Sequence, residues 1–129
     1  MVVKERWSQH LCPNFQAALD VLARPWNGMI MESLALKGEL RYSELRERLA
    51  AVGDRMLAMR LKELEGRGLV ERRVSPGPPV KVAYALTELG EGFRPVADAL
   101  RAWGERVAAA KAPRGRRGAR SEPDPRRRD

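Results

Sequence analysis

Residues Gly53 to Arg73 read GDRMLAMRLKELEGRGLVERR. Leu57, Leu61 and Leu64 fall within about 60° of one another at roughly 100° per residue, the pattern of a helix with one buried face. Arg55, Met59 and Lys62 fall on the opposite side, flanked by Ala58 and Glu63. Gly53 and Asp54 open this helix, and an acid in the first turn is favoured by the helix dipole. Gly68 ends it, with Leu69 free to fold back on Leu64 as residues two past the cap do. The pattern then becomes strict alternation: Val70, Arg72 and Val74 against Glu71 and Arg73. That is a strand.

Working outward, the segment after SPGPP alternates again, with Val80, Val82, Tyr84 and Leu86 set against Lys81, Ala83 and Ala85. Two strands around a Pro/Gly-rich turn make a hairpin. Upstream, Asn14 is placed to cap a helix whose Phe15, Ala18, Leu19 and Leu22 follow the i, i+3, i+4, i+7 rule, and Pro25 stops it. Asn27 is placed to cap a second helix, with Trp26 and Met31 as a staple, Ile30, Leu34 and Ala35 as core face and Gly38 just past its end. A short third helix fits Tyr42 to Ala50, with Leu45 and Leu49 inward. Thr87 is placed to cap a last helix running to about Lys111, with Phe93, Val96, Ala97, Leu100, Trp103 and Val107 in one stripe. From Ala112 the chain is Arg, Gly, Pro, Ser, Ala and acids only, the composition of a disordered tail. The expected domains are thus a folded 1–111 and a disordered basic tail, 112–129.

Composition bounds the function. The chain has 129 residues, enough for one domain with a real core. No apolar run approaches the roughly 18 residues needed to span a bilayer, and the N-terminus lacks the apolar stretch of a secretion signal. No membrane partner is expected. One cysteine fits a reducing cytoplasm. With one histidine beside it, that cysteine cannot build a usual zinc site, so no metal or cofactor is expected. The net charge is +8, and it is not confined to the tail: residues 1–111 hold 18 Lys and Arg against 14 acids, residues 112–129 hold 7 Arg against 3. A folded part that stays basic points to a polyanion, nucleic acid first. The plainer alternative is a basic protein without such a partner.

The element order is helix, helix, short helix, tight turn, helix, hairpin, long helix. The third and fourth helices have helix-turn-helix spacing. A hairpin directly after them makes a winged helix, an α+β, mainly helical fold with a long C-terminal dimerisation helix. In such a fold the leucines anchor the fourth helix, and its opposite face can enter a major groove. Arg55 and Lys62 can meet bases or phosphates, and Ala58 and Met59 can touch a thymine methyl. Tyr42, Ser43 and Arg60 are expected to hold the DNA backbone, with Arg72, Arg73 and Lys81 reaching phosphates or the neighbouring minor groove from the wing. Arg and Lys opposite a leucine stripe also describe almost any amphipathic helix; the element order and the basic hairpin favour DNA.

The segments LCPNFQAALDVLARPWNGMIMESL, LRYSELRERL, DRMLAMRLKELEGRGLVERR, PPVKVAYALTELG and LRAWG, in this order from about Leu11 to Gly104, resemble the HxlR-type family of bacterial winged helix-turn-helix transcriptional regulators. The resemblance implies a homodimer that binds double-stranded DNA and represses or activates neighbouring operons. It departs at Asn27, where the family usually has Ser or Thr, and at Gly53, where it often has Ser. In several such regulators a cysteine placed like Cys12 senses oxidants or electrophiles. Here the alternative is a small hydrophobe buried at the dimer seam. Without a second cysteine, oxidation gives a sulfenic acid, a mixed disulfide or a bridge between subunits.

The expectation is therefore a cytoplasmic, nucleoid-associated regulator, a homodimer and a repressor. The stripe through Phe93, Val96, Leu100 and Trp103, with Trp7 from the N-terminal arm, forms its dimer seam. An unknown small-molecule or oxidant effector is left open. His10 lacks the nucleophile and orienting partner of a general base, so no enzyme is expected. Two rivals stand beside this reading: a winged helix used for protein or RNA contact, and a thiol enzyme built on Cys12.

Overall fold

The computed structural model describes residues 12–121. In chain order the elements are α1 (Pro13–Ala23), α2 (Asn27–Lys37), β1 (Leu40–Arg41), α3 (Tyr42–Arg48), a 3-10 turn (Ala50–Val52), α4 (Asp54–Gly66), β2 (Val70–Ser75), β3 (Lys81–Leu86), α5 (Glu88–Glu91) and α6 (Phe93–Ser121). The three strands form one antiparallel sheet in the order β1-β3-β2. The fold is mainly helical with a small wing sheet, as the periodicities predict.

The chain divides into two compact units, one ending at Arg94 and one starting at Pro95. The core of the first is built from Ile30, Met31 and Leu34 of α2, Leu45 of α3, Leu49 after it, the three leucines of α4, Val70, Leu86 and Phe93. Phe93, expected at the dimer seam, is thus a core residue of its own protomer. The second unit is the body of α6. Val96, Leu100 and Trp103 are exposed on it, Trp103 by 63%. Trp7 lies outside the described residues.

Several local readings shift by one or two residues. Cys12, not Asn14, caps α1: its Sγ accepts from the Phe15 N–H at 3.4 Å, and Pro13 occupies the first helical position, where its missing N–H costs nothing. α1 buries none of its residues, and Phe15 is 64% exposed. Trp26, not Asn27, occupies the cap position of α2, in a left-handed conformation with φ 73° that is costly for a bulky residue. Asn27 is fully buried one position on, its amide donating to the Val21 carbonyl at 3.0 Å. Thr87 caps the separate short α5, with Oγ1 accepting from the Gly90 N–H at 3.1 Å. α6 continues to Ser121, past the Lys111 limit that composition suggests and through Pro113, Gly115 and Gly118.

The end of α4 follows the glycine signal closely. The Leu69 N–H donates to the Leu64 carbonyl and the Gly68 N–H to the Glu65 carbonyl, both at 3.0 Å. This paired closure turns the chain straight into β2. Gly90 is held by contact: a Cβ there would lie 2.1 Å from the Leu69 carbonyl oxygen. The glycine thereby lets α5 close onto the start of the wing.

Candidate nucleic-acid interface

α3, the 3-10 turn and α4 form the helix-turn-helix. The turn reaches α4 through Gly53 at φ 89° and ψ 153°, a region open to glycine and closed to serine. The departure from the family pattern at this position is thus a backbone requirement. Leu57, Leu61 and Leu64 are buried, which turns Arg55, Ala58, Met59 and Lys62 outward. These four sit at i, i+3, i+4 and i+7, so they form one exposed stripe. No ion pair engages Arg55 or Lys62 among the described residues.

Arg60 is elsewhere. It is only 9% exposed, its Nε donates to the Pro25 carbonyl at 2.9 Å, and its Nη1 pairs with Glu63 at 3.0 Å. Its expected contact with the DNA backbone is corrected: at about 100° per residue Arg60 lies only about 40° from Leu64, on the core side. The angle is readable from the sequence; the residue type alone points outward. Glu63 also receives Arg24 at 2.8 Å, and this hydrogen-bonded arginine lowers its pKa from the ordinary carboxylate value.

Tyr42 and Ser43 open α3, with Ser43 exposed. The Tyr42 hydroxyl is engaged with the Asp54 carboxylate, and burial together with that carboxylate pushes its pKa up to about 12. It is a donor already in use. Arg46 joins the same carboxylate at 3.1 Å. Nothing in the periodicity links Tyr42 to Asp54, so sequence reasoning missed this cluster.

On the wing, the register pairs Arg73 with Ala83, Arg72 with Tyr84, Val74 with Val82 and Ser75 with Lys81. Arg73 and Lys81 therefore share a face opposite Val74 and Val82, as expected. Arg73 is nevertheless clamped by two acids, Glu39 at 2.6 Å and Glu71 at 2.5 Å, and the Glu39 bond leads in raising its pKa. Lys81 and Arg72 are exposed and have no ion pair among the described residues. Arg72, expected beside Arg73 as a wing cation, is thus open to a phosphate, on the sheet face opposite Lys81.

Among the described residues no group of three or more His, Cys, Asp or Glu side chains is placed to hold a metal ion, and no helix is long and apolar enough to cross a membrane. Cys12 is exposed.

A family model described as HxlR-like helix-turn-helix matches residues 21–112. Over 95 residues the chain is 41% identical to the HTH-type transcriptional regulator YodB of Bacillus subtilis (strain 168), covering 74% of this chain and 84% of that protein. The reduced form of YodB from B. subtilis matches with a TM-score of 0.67 over 74% of this chain and 93% of that one, at 41% identity. The redox regulator HypR in its oxidized form matches with a TM-score of 0.67 over 74% and 96%, at 36% identity. With a helix-turn-helix whose second helix presents an unpaired cationic stripe, and a wing behind it, the chain belongs to the HxlR-like helix-turn-helix family and is a DNA-binding transcriptional regulator.

Proposed function

We propose that the protein is a cytoplasmic homodimeric repressor that reads a pseudo-palindromic operator with α4 and braces itself on the backbone with the wing. The observation that carries the reading is the outward stripe Arg55, Ala58, Met59 and Lys62 over a buried leucine face. Dimerisation is supported by two apolar faces that one protomer leaves in water: Phe15 and Leu19 on α1, and Val96, Leu100, Trp103 and Val107 on α6. Exposed apolar groups of this size mark interaction surfaces. A two-fold dimer would present its reading helices one turn of DNA apart, roughly 34–36 Å. Binding, not turnover, is its activity. Selection from a random duplex pool, followed by titration of the recovered duplex at several salt concentrations, tests the reading. A symmetric motif bound by two protomers supports it; binding without sequence preference refutes it.

A second reading adds redox control through Cys12. Its support is the exposed Sγ that caps α1, together with the ion pair by which Arg24, at the other end of α1, holds Glu63 of α4. HypR is named a redox regulator, and YodB is known in a reduced form. Oxidation at Cys12 would remove the cap and loosen the start of α1. If so, wild-type protein loses or gains operator affinity with a peroxide or quinone, and Cys12→Ser binds normally but ignores the oxidant. Equal affinity with and without oxidant leaves Cys12 as a cap.

A further inference from the structure

α4 begins with an acid on the side of the molecule that would approach DNA. Gly53 supplies no side-chain cap, and Asp54 is the acid of the first turn of α4, where the helix dipole favours a negative charge. That same charge is 71% exposed and would be repelled by phosphates if left alone. Two groups of α3 converge on it. The Tyr42 hydroxyl donates to Oδ1 and lies 3.2 Å from the Asp54 carbonyl; Arg46 Nε sits 3.1 Å from the same Oδ1. On its other side Tyr42 meets the wing, its ring centroid 6.5 Å from that of Tyr84 on β3. Tyr42 thus touches both the wing strand and the first residue of the reading helix.

We propose that Tyr42 and Asp54 are positioning residues for DNA reading: their bond sets the angle at which α4 leaves the turn, and so where Arg55 meets a base edge, while Tyr42 itself makes no phosphate contact. The proposal rests on the DNA-reading role of α4 argued above. Base discrimination depends on placing one guanidinium within hydrogen-bond reach of one base edge, whereas non-specific attraction depends only on charge. Loosening the pair therefore removes discrimination and spares non-specific binding.

The test uses the full chain with the duplex recovered by selection and a scrambled duplex of equal length, both titrated across salt concentrations. Tyr42→Phe, Asp54→Asn and the double variant are compared with wild type, and thermal melting checks the fold. Each single variant is expected to lower the ratio of selected to scrambled affinity by about tenfold, the scale of one lost base contact; Tyr42→Phe retains scrambled affinity and salt dependence, whereas Asp54→Asn, which removes a charge that repels phosphates, raises scrambled affinity. The double variant is expected to do no worse than the weaker single, as one shared interaction requires. In free protein, amide exchange of Leu57, whose N–H donates to the Gly53 carbonyl at 3.1 Å, is expected to accelerate in both singles. If Tyr42→Phe weakens both duplexes alike and flattens the salt dependence, Tyr42 is a phosphate contact and the proposal falls. An unchanged ratio also overturns it. Unchanged exchange rates overturn the positioning role without reference to DNA, whereas a wild-type protein with no duplex preference overturns the reading role of α4. Should Asp54→Asn fail to fold, Tyr42→Phe, which removes one oxygen, decides alone.

Discussion

Arg60 of α4 donates from Nε to the carbonyl of Pro25, 2.9 Å away and 35 residues earlier in the chain. With Glu63 pairing both Arg60 and Arg24, the junction of α1 and α2 is fastened to the back of α4. Replacing Arg60 by Met removes a charged donor from a part-buried carbonyl, and the expected cost is about 1.5–3 kcal/mol of stability, read from urea unfolding. The salt dependence of DNA binding should not change. A drop in salt dependence with stability intact would return Arg60 to the DNA surface.

The outward stripe of α4, proposed to read DNA, has its own signature. Arg55→Ala or Lys62→Ala is expected to weaken the selected duplex by about 1–3 kcal/mol where the residue reads a base edge. Where it holds only phosphate, every duplex weakens alike and the salt slope falls by about one. Titration of both variants on selected and scrambled duplexes separates the two cases; no effect in either variant would mean that α4 does not read DNA.

Wing cations should act without regard to sequence. Lys81→Ala and Arg72→Ala are expected to lower selected and scrambled affinity together. Arg73→Ala should do less than either, because Glu39 and Glu71 already hold its guanidinium. Discrimination lost with scrambled affinity intact would contradict a backbone role for the wing.

Leu100 is 41% exposed in one protomer, so Leu100→Glu should leave the protomer folded. Buried against a partner, the new charge would cost several kcal/mol unless paired. Sedimentation should show a folded monomer that binds the full operator weakly. A variant that remains dimeric removes α6 from the seam.

Gly90→Ala sets a methyl group 2.1 Å from the Leu69 carbonyl oxygen and 3.1 Å from Leu86 Cδ2. Relief requires backbone movement, and overpacking of this kind typically costs about 1–3 kcal/mol. A lowered melting temperature with unchanged DNA discrimination is expected; a neutral substitution would show that α5 shifts freely.

What was legible in the residues followed from local physics. The leucine stripe of α4 defines its buried face. Gly68 followed by Leu69 specifies its closure, and alternation with SPGPP specifies the hairpin. Three features depended on contacts distant in sequence. β1 is two residues long and has no period to detect; it exists because Leu40 and Arg41 pair with Tyr84 and Ala83. The Tyr42–Asp54 bond joins positions that only the turn brings together. The clamp on Arg73 needs Glu39, 34 residues away. Arg60 is a different case, since its angle on the helix was readable and its charge was not a guide to where it points.

The proposed reading role of α4 would also limit what an operator can contain. Adenine is recognised most directly by Asn or Gln, guanine by Arg or Lys, and the thymine methyl by small or apolar groups. α4, DRMLAMRLKELEG, has neither Asn nor Gln. Its first two turns offer one guanidinium and the apolar Ala58 and Met59. Reading as proposed, the helix would favour guanine through Arg55 and the thymine methyl through Ala58 and Met59, while Asp54, an acid that could accept from cytosine, is held by Tyr42 and Arg46. Were α4 to read DNA from a two-fold dimer, half-sites rich in guanine and thymine and arranged as inverted copies would be where a search for regulated promoters begins.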